Sequence, residues 1–212
     1  MRIDRLSGAI LPEHHLYTID FDADFWPVHQ YWLMASDVAK FPGVKSLPAG
    51  MTLEEVAPTA GFAKQMYWDV GGPWIWGDKR AYSDSQWQDY TALEGFRQFK
   101  LFLNDGTLAG YAETSLNSDS RQAELEYFGL LPHAVGYKAG GAFLSQIIGK
   151  LWDSNAKSIR VSTCTLDHPG AFRVYCRSGF ERLSSHCETV TNAVKARIIS
   201  PQEIQIRTKL LR

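Results

Sequence analysis

The sequence predicts an α/β fold: a mixed, partly antiparallel, twisted sheet of about six or seven strands with helices on both faces. Three observations carry that expectation. Two alternating segments, 97–103 and 108–116, flank Asn104-Asp105-Gly106, and Asp-Gly supplies the positive φ of a tight hairpin turn. An apolar stripe of Leu144, Ile147, Ile148 and Leu151 marks an amphipathic helix between two further strand-like runs. A second stripe, Ala171, Val174, Tyr175 and Ser178, repeats the arrangement one unit later. Antiparallel hairpins thus lead into a βαβα unit.

Taken in order, residues 1–50 read as an N-terminal extension packed on the domain. Pro42, Gly43, Pro48 and Gly50 make 37–50 a loop. Residues 51–190 form the main domain, and 191–212 read as a C-terminal strand or tail completing it. Thr52 with Glu55 has the spacing of a capping box, so a helix is expected from Leu53, broken at Pro58 and restarted before Tyr67. Gly71-Gly72-Pro73 ends it. Ser83 with Gln86 is a second capping box and opens a short helix through Leu93. After the hairpin, a third strand covers 122–131 and a helix Lys138–Asp153. A strand follows over Ile159–Thr165, then a helix with Pro169 near its start and Gly179 as its stop, and Phe180 opens another strand.

Composition narrows the function classes. Lys plus Arg (22) nearly balance Asp plus Glu (23), which argues against a nucleic-acid binder. Three cysteines without CxxC spacing argue against a disulfide framework or a zinc site, and no metal is expected. No apolar run approaches the ~18 residues of a membrane span, and Met1–Ile10 lacks the apolar core of a signal peptide. A cytoplasmic setting is expected, and homodimerisation stays open.

The chemistry is expected where the third strand meets the following helix. Gly136, Gly140 and Gly141 permit close backbone approach, and the helix aims its free N–H groups at the loop, a geometry that suits a pyrophosphate. The same glycines also serve a chain that only turns and packs. About thirty residues later come Thr163-Cys164-Thr165-Leu166-Asp167-His168-Pro169, then Tyr175 four residues before Gly179-Phe180. With Tyr127-Phe128-Gly129-Leu130-Leu131-Pro132 and Tyr67-Trp68-Asp69-Val70-Gly71-Gly72-Pro73-Trp74-Ile75-Trp76, these runs resemble the GNAT superfamily of N-acetyltransferases, in particular a bacterial subgroup of loosely defined substrate. The resemblance covers about residues 52–185.

The resemblance implies an acetyl-CoA-dependent N-acetyltransferase acting on the amine of a small molecule or peptide by direct attack. The alternatives are a non-catalytic acyl-CoA-binding or interaction module on the same fold, or a transferase using another acyl-CoA. It places Leu130 and Leu131 at the pantetheine arm, Val135, Gly136, Tyr137, Lys138, Ala139, Gly140 and Gly141 at the pyrophosphate, and His168 near the cofactor. Tyr175 would protonate the departing thiolate. Val135 stands where the pattern has Arg or Gln. Lys138 stands where it has Gly, and a lysine forced to positive φ there costs about 1 kcal/mol. Glu126 is the candidate base, with Glu113 on the neighbouring strand behind it. Trp74 and Trp76 are candidates for the acceptor pocket, with core packing or a dimer surface as the other reading. Asp167 or His168 is placed to cap the next helix.

Overall fold

The computed structural model describes residues 23–191 and 200–210. One seven-stranded sheet organises them, flanked by helices. In chain order its strands are β1 (Phe25–Ala35), β2 (Thr52–Val56), β3 (Arg97–Phe102), β4 (Leu108–Leu116), β5 (Gln122–Leu130), β6 (Ser158–Cys164) and β7 (Glu181–Thr191). Their spatial order is β2-β3-β4-β5-β6-β1-β7, and every neighbouring pair is antiparallel except β5 and β6. The helices are α1 (Ala60–Gly71), α2 (Asp84–Thr91), α3 (Gly140–Asp153), α4 (Ala171–Arg177) and α5 (Pro201–Leu210).

The expected helix at residue 53 is a strand. Thr52–Val56 pairs with β3 from Thr52↔Phe102 to Val56↔Gln98. The capping-box spacing of Thr52 and Glu55 is a local signal, and pairing with β3 overrides it. Glu55 instead reaches Arg97 on the neighbouring strand, with two bonds of 2.7 Å. The helix begins at Ala60, just beyond Pro58. Ser83 and Gln86 do form their capping box, each side chain meeting the other's backbone N–H, and α2 follows.

Part of the stretch read as an extension lies inside the sheet. β1 sits between β6 and β7, pairing Gln30↔Cys164 on one side and Gln30↔His186 on the other. Within 191–212, residues 201–210 contribute helix α5. Arg207 of α5 is 3% exposed and donates to the carbonyls of Leu166 (2.6 Å) and Pro73 (3.2 Å).

Two apolar clusters cover the two sheet faces. Phe143, Leu144, Ile147, Ile148 and Leu151 of α3, with Phe172 and Tyr175 of α4, pack on one. Each such side chain contributes about 1.5–3 kcal/mol when fully buried. Met66, Tyr67 and Val70 of α1, with Trp87 and Tyr90 of α2, pack on the other. Adjacent Tyr111 and Ala112 of β4 fall in different clusters, as strand alternation requires. Gly129 lets α1 lie close on β5, because a Cβ there would collide with Val70.

Candidate functional site

The site is made by two strands that separate. β5 and β6 run parallel and pair only over Gln122↔Ser158, Ala123↔Ile159 and Glu124↔Arg160. Two residues further along, β5 carries a bulge. Glu113 of β4 faces Tyr127 and Thr114 faces Leu125, so Glu126 is the extra residue between them. In a regular strand Leu125 and Tyr127 would share a face, yet they belong to opposite clusters. A bulge bends its strand and re-aims side chains. Here it falls where β5 leaves β6, and β6 goes on pairing with β1 alone.

Between the separated strands lies a cavity of about 920 Å³. Glu126 lines it, accepting from the Ser115 hydroxyl at 2.7 Å. Burial pushes the Glu126 carboxyl above its ordinary range; the Ser115 bond works against this and the charge of Glu124 adds to it. Tyr175 lines the opposite wall at 7% exposure, and its hydroxyl makes no hydrogen bond among the described residues. Burial, then the nearby Asp167 carboxylate, raises that phenol well above its usual value. Glu113 lies outside the lining, in the layer behind Glu126.

The loop beyond β5 forms one end of the cavity. Leu131 N–H donates to the Ala109 carbonyl (2.8 Å), so strand alternation turns Leu130 N–H to the other side, where no strand faces it. Leu130, Val135, Gly136, Lys138, Ala139 and Gly140 line the cavity. Leu131, Tyr137 and Gly141 lie outside the lining: Leu131 is buried against the α1–α2 cluster and Tyr137 points to solvent. The first backbone bond of α3 runs from Phe143 N–H to the Ala139 carbonyl, 2.8 Å. The N–H groups of Gly140, Gly141 and Ala142 are therefore left over by the helix. Gly136 has φ +100° and Lys138 φ +58°, so the lysine does occupy the left-handed region.

Trp74 and Trp76 both line the cavity. Trp74 is only 6% exposed, with its ring edge on His168 at 5.3 Å and the Arg207 guanidinium over its face at 5.1 Å. Trp76 packs on Tyr127 at 4.9 Å. A Cβ at Gly71 would fall inside its indole, so glycine makes room for that packing. The expected capping by Asp167 or His168 is not found, because α4 begins later, at Ala171, with Gly170 at its N-cap and no side-chain capping bond. Asp167 instead folds back on β6, accepting from Thr163 Oγ1 (2.7 Å) and Cys164 N–H (3.0 Å). His168 also lines the cavity, and its Nδ1 accepts from Gly170 N–H at 2.9 Å.

Sequence reasoning missed a polar layer beside the cavity. Lys79 lies under an aromatic roof, its Nζ 4.6 Å from the Tyr90 ring centre, 4.8 Å from Tyr127 and 5.5 Å from Tyr82. The same ammonium donates to Tyr127 Oη (2.9 Å) and pairs with Asp78 (3.2 Å). Tyr127 and Tyr67 both donate to Asp78. Against desolvation by its surroundings, the Tyr127 bond and the Lys79 charge hold the Asp78 carboxyl below the ordinary range. The density of tyrosine and tryptophan between 66 and 90 was the available signal. Gln30 and Trp32 of β1 also reach the lining, and nothing local announced them. Among the described residues, no group of His, Cys, Asp and Glu is arranged to hold a metal ion, and no helix is long and apolar enough to cross a membrane.

The splayed mixed sheet, with a glycine-bearing loop and helix N-terminus at its opening, is the fold of the GNAT acetyltransferases. Solved structures carry that comparison. A GCN5-related N-acetyltransferase from Sphaerobacter thermophilus matches at TM-score 0.58 and 16% identity, over 79% of this chain and 53% of its own. A Drosophila protein matches at 0.57 and 15%, over 80% and 52%. A tandem GNAT protein from the clavulanic acid biosynthesis pathway matches at 0.56 and 16%, over 80% and 55%. The chain thus spans about half the length of these structures, and at such identities the likeness is one of fold. No protein-family model and no curated protein matches the sequence.

Proposed function

We propose that the chain is an acetyl-CoA-dependent N-acetyltransferase that acts on the amine of a small molecule or peptide by direct attack. The observation that carries this reading is the cavity between β5 and β6, with the buried carboxyl of Glu126 on one wall and the unbonded Tyr175 hydroxyl on the other.

The residues present fit such a thioester. A Cβ added at Gly136 or Gly141 would meet nothing within 4 Å, so packing inside the protein does not explain a glycine at either place. Gly136 is accounted for by its positive φ. Gly141 has no such need, and its bareness suits a bulky anion brought close to the backbone. The leftover N–H groups of α3 and its positive dipole end favour that anion. Bound there, acetyl-CoA supplies an acetyl group already activated as a thioester.

The protein's own groups do the rest. Leu130 N–H, turned to the open side, is a donor for a carbonyl oxygen that gains negative charge. Glu126 takes the proton of the acceptor amine, and its raised proton affinity makes it a better base than an exposed carboxylate. Tyr175, kept protonated by burial and by Asp167, holds the proton that a departing thiolate needs. Trp76 bounds the acceptor side, where an indole face suits a cationic amine.

Calorimetric titration with acetyl-CoA tests the reading. Micromolar binding, competed by CoA, is the expected result, followed by thiol release in the presence of amines. Absence of binding sinks it. The second reading, a non-catalytic acyl-CoA-binding module, is favoured by Lys138 alone. Its mark would be tight binding without thiol release across an amine panel.

A further inference from the structure

The cavity does not end at the gap between β5 and β6. It runs on over β6 and β1 to β7, lined by Gln30 and Trp32 of β1 and by Glu188 of β7. Tyr31 and Leu33 of β1 point into the cluster under α3 and α4, so alternation turns Gln30 and Trp32 to the other face of the sheet. Glu188 stands directly opposite Val28, and such cross-strand partners share a face. Ser162 and Cys164 of β6, opposite Trp32 and Gln30, complete a floor three strands wide. We propose that this floor holds the far end of the acceptor, and that the acceptor is an elongated diamine or polyamine whose second ammonium pairs with Glu188. The inference rests on the acetyl-transfer reading of the gap and names the amine which that reading leaves open.

The charges of the lining single out Glu188. Five carboxylates reach the cavity: Asp78, Glu124, Glu126, Asp167 and Glu188. Asp78 is paired with Lys79, and Glu124 accepts from Arg160 at 2.6 Å. Glu126 accepts from Ser115, and Asp167 is held by Trp76, Thr163 and Cys164. The Glu188 carboxylate has no ion pair and no hydrogen bond among the described residues. Arg160 cannot neutralise it, being spent on Glu124 and lying over the Trp32 ring at 5.0 Å. Lys138 belongs to the loop before α3, and His186, opposite Gln30, lies outside the lining.

The width of the floor sets the length of the ligand. Neighbouring strands lie about 4.8 Å apart, so β7 is roughly 10 Å across the sheet from β6. A molecule that offers one amine to Glu126 in the gap and a cation to Glu188 must span that distance. On the way it passes Gln30, half-buried, whose side-chain amide makes no hydrogen bond among the described residues. The amide oxygen accepts from an N–H of the chain above it. Val28 and the Trp32 indole give methylene groups apolar contact. The distal ammonium keeps its proton and its charge; only the amine at Glu126 gives one up. A monoamine would fill the gap and leave Gln30 and Glu188 without a partner.

Ligand-observed NMR titrations at about pH 8, where imidazoles are uncharged, read this without any activity, in the presence and absence of CoA. The probes are spermidine and octylamine, a chain of like length with a single amine. Spermidine should bind wild type. Glu188→Gln should weaken it about three- to fivefold, the worth of an exposed ion pair, and Glu188→Lys should weaken it further. Neither should move octylamine. Glu94→Gln, which removes an exposed carboxylate outside the cavity, should leave both probes unchanged. Spermidine that does not bind, that binds wild type and both Glu188 variants alike, or that loses no more than octylamine loses, overturns the inference, whether or not the protein transfers acetyl groups. Binding that depends on Glu188, in a protein that releases no thiol from acetyl-CoA, upholds the recognition and defeats the transferase reading separately.

Discussion

The indole N–H of Trp76 donates to the Asp167 carboxylate at 3.0 Å. That bond ties the segment after α1 to the turn after β6, across the gap between β5 and β6. Trp76 leans on Tyr127 of β5, and Asp167 is anchored by Thr163 and Cys164 of β6. The two sides of the cavity are therefore joined by a strap that neither strand supplies alone.

Gly71→Ala tests the strap. The new methyl would displace the Trp76 indole, breaking its stack and its bond to Asp167. Overpacking of this kind costs about 1–3 kcal/mol. A lower Tm is expected, with faster hydrogen exchange in both 72–79 and 163–168, and an unchanged Tm would contradict the packing described.

Tyr175→Phe separates chemistry from structure. The hydroxyl makes no hydrogen bond among the described residues, so its loss should change stability by less than about 1 kcal/mol. As the proton donor to the leaving thiolate, it should carry about a hundredfold of kcat. Denaturant melts and steady-state thiol release measure the two effects. A large stability loss with unchanged kcat would assign Tyr175 to packing instead.

Glu113 makes folding stability depend on pH. Its folded-state value of about 7 lies above the ordinary 4.5, so folding favours the protonated form. Its stabilising contribution is complete below 4.5 and is lost as pH rises through 7. A displacement of about 2.5 pH units corresponds to an order of 3 kcal/mol. Urea melts from pH 4.5 to 8 should show wild type losing stability relative to Glu113→Gln as pH rises. Parallel curves would mean that Glu113 does not titrate in this range.

Lys138→Gly relieves the left-handed strain but loosens the unfolded chain, and the two effects nearly offset. Tm should move by no more than a few degrees. Acetyl-CoA affinity should fall severalfold as the loop loses its cation, and tighter binding would show that the side chain obstructs the loop.

Sequence alone reached what is set by near neighbours. The turn at Asp105-Gly106, the box of Ser83 and Gln86, the stripe on α3 and the stop at Gly179 each depend on residues within a few positions, and all four stand in the structure. Thr52 and Glu55 offered the same kind of signal and became a strand, because β3 lies some forty residues away in the chain. Of the candidate site, sequence singled out Glu126, Tyr175, Leu130 and the loop at Gly136, and the structure brings them to one cavity. The Asp78–Lys79–Tyr127 layer was not, since Tyr127 stands 48 positions from Lys79 and 49 from Asp78, and the aromatic density of 66–90 says nothing of that partner. β1 was least legible: Pro27 interrupts its pattern, and its partner strands lie far along the chain.

That last separation bears on how the chain acquires its shape. β1 is made early, yet both strands it pairs with come more than a hundred residues later; one of its contacts, from His29 N–H to Thr165, spans 136 positions. β7 meets the sheet through β1 alone. The half of the sheet from β6 to β7 therefore cannot close until a nascent chain has delivered β6, and β1 waits unpaired meanwhile. Pairing over such distances slows folding, and an N-terminal truncation past residue 35 would take β1 away and leave β7 without its neighbour in the sheet.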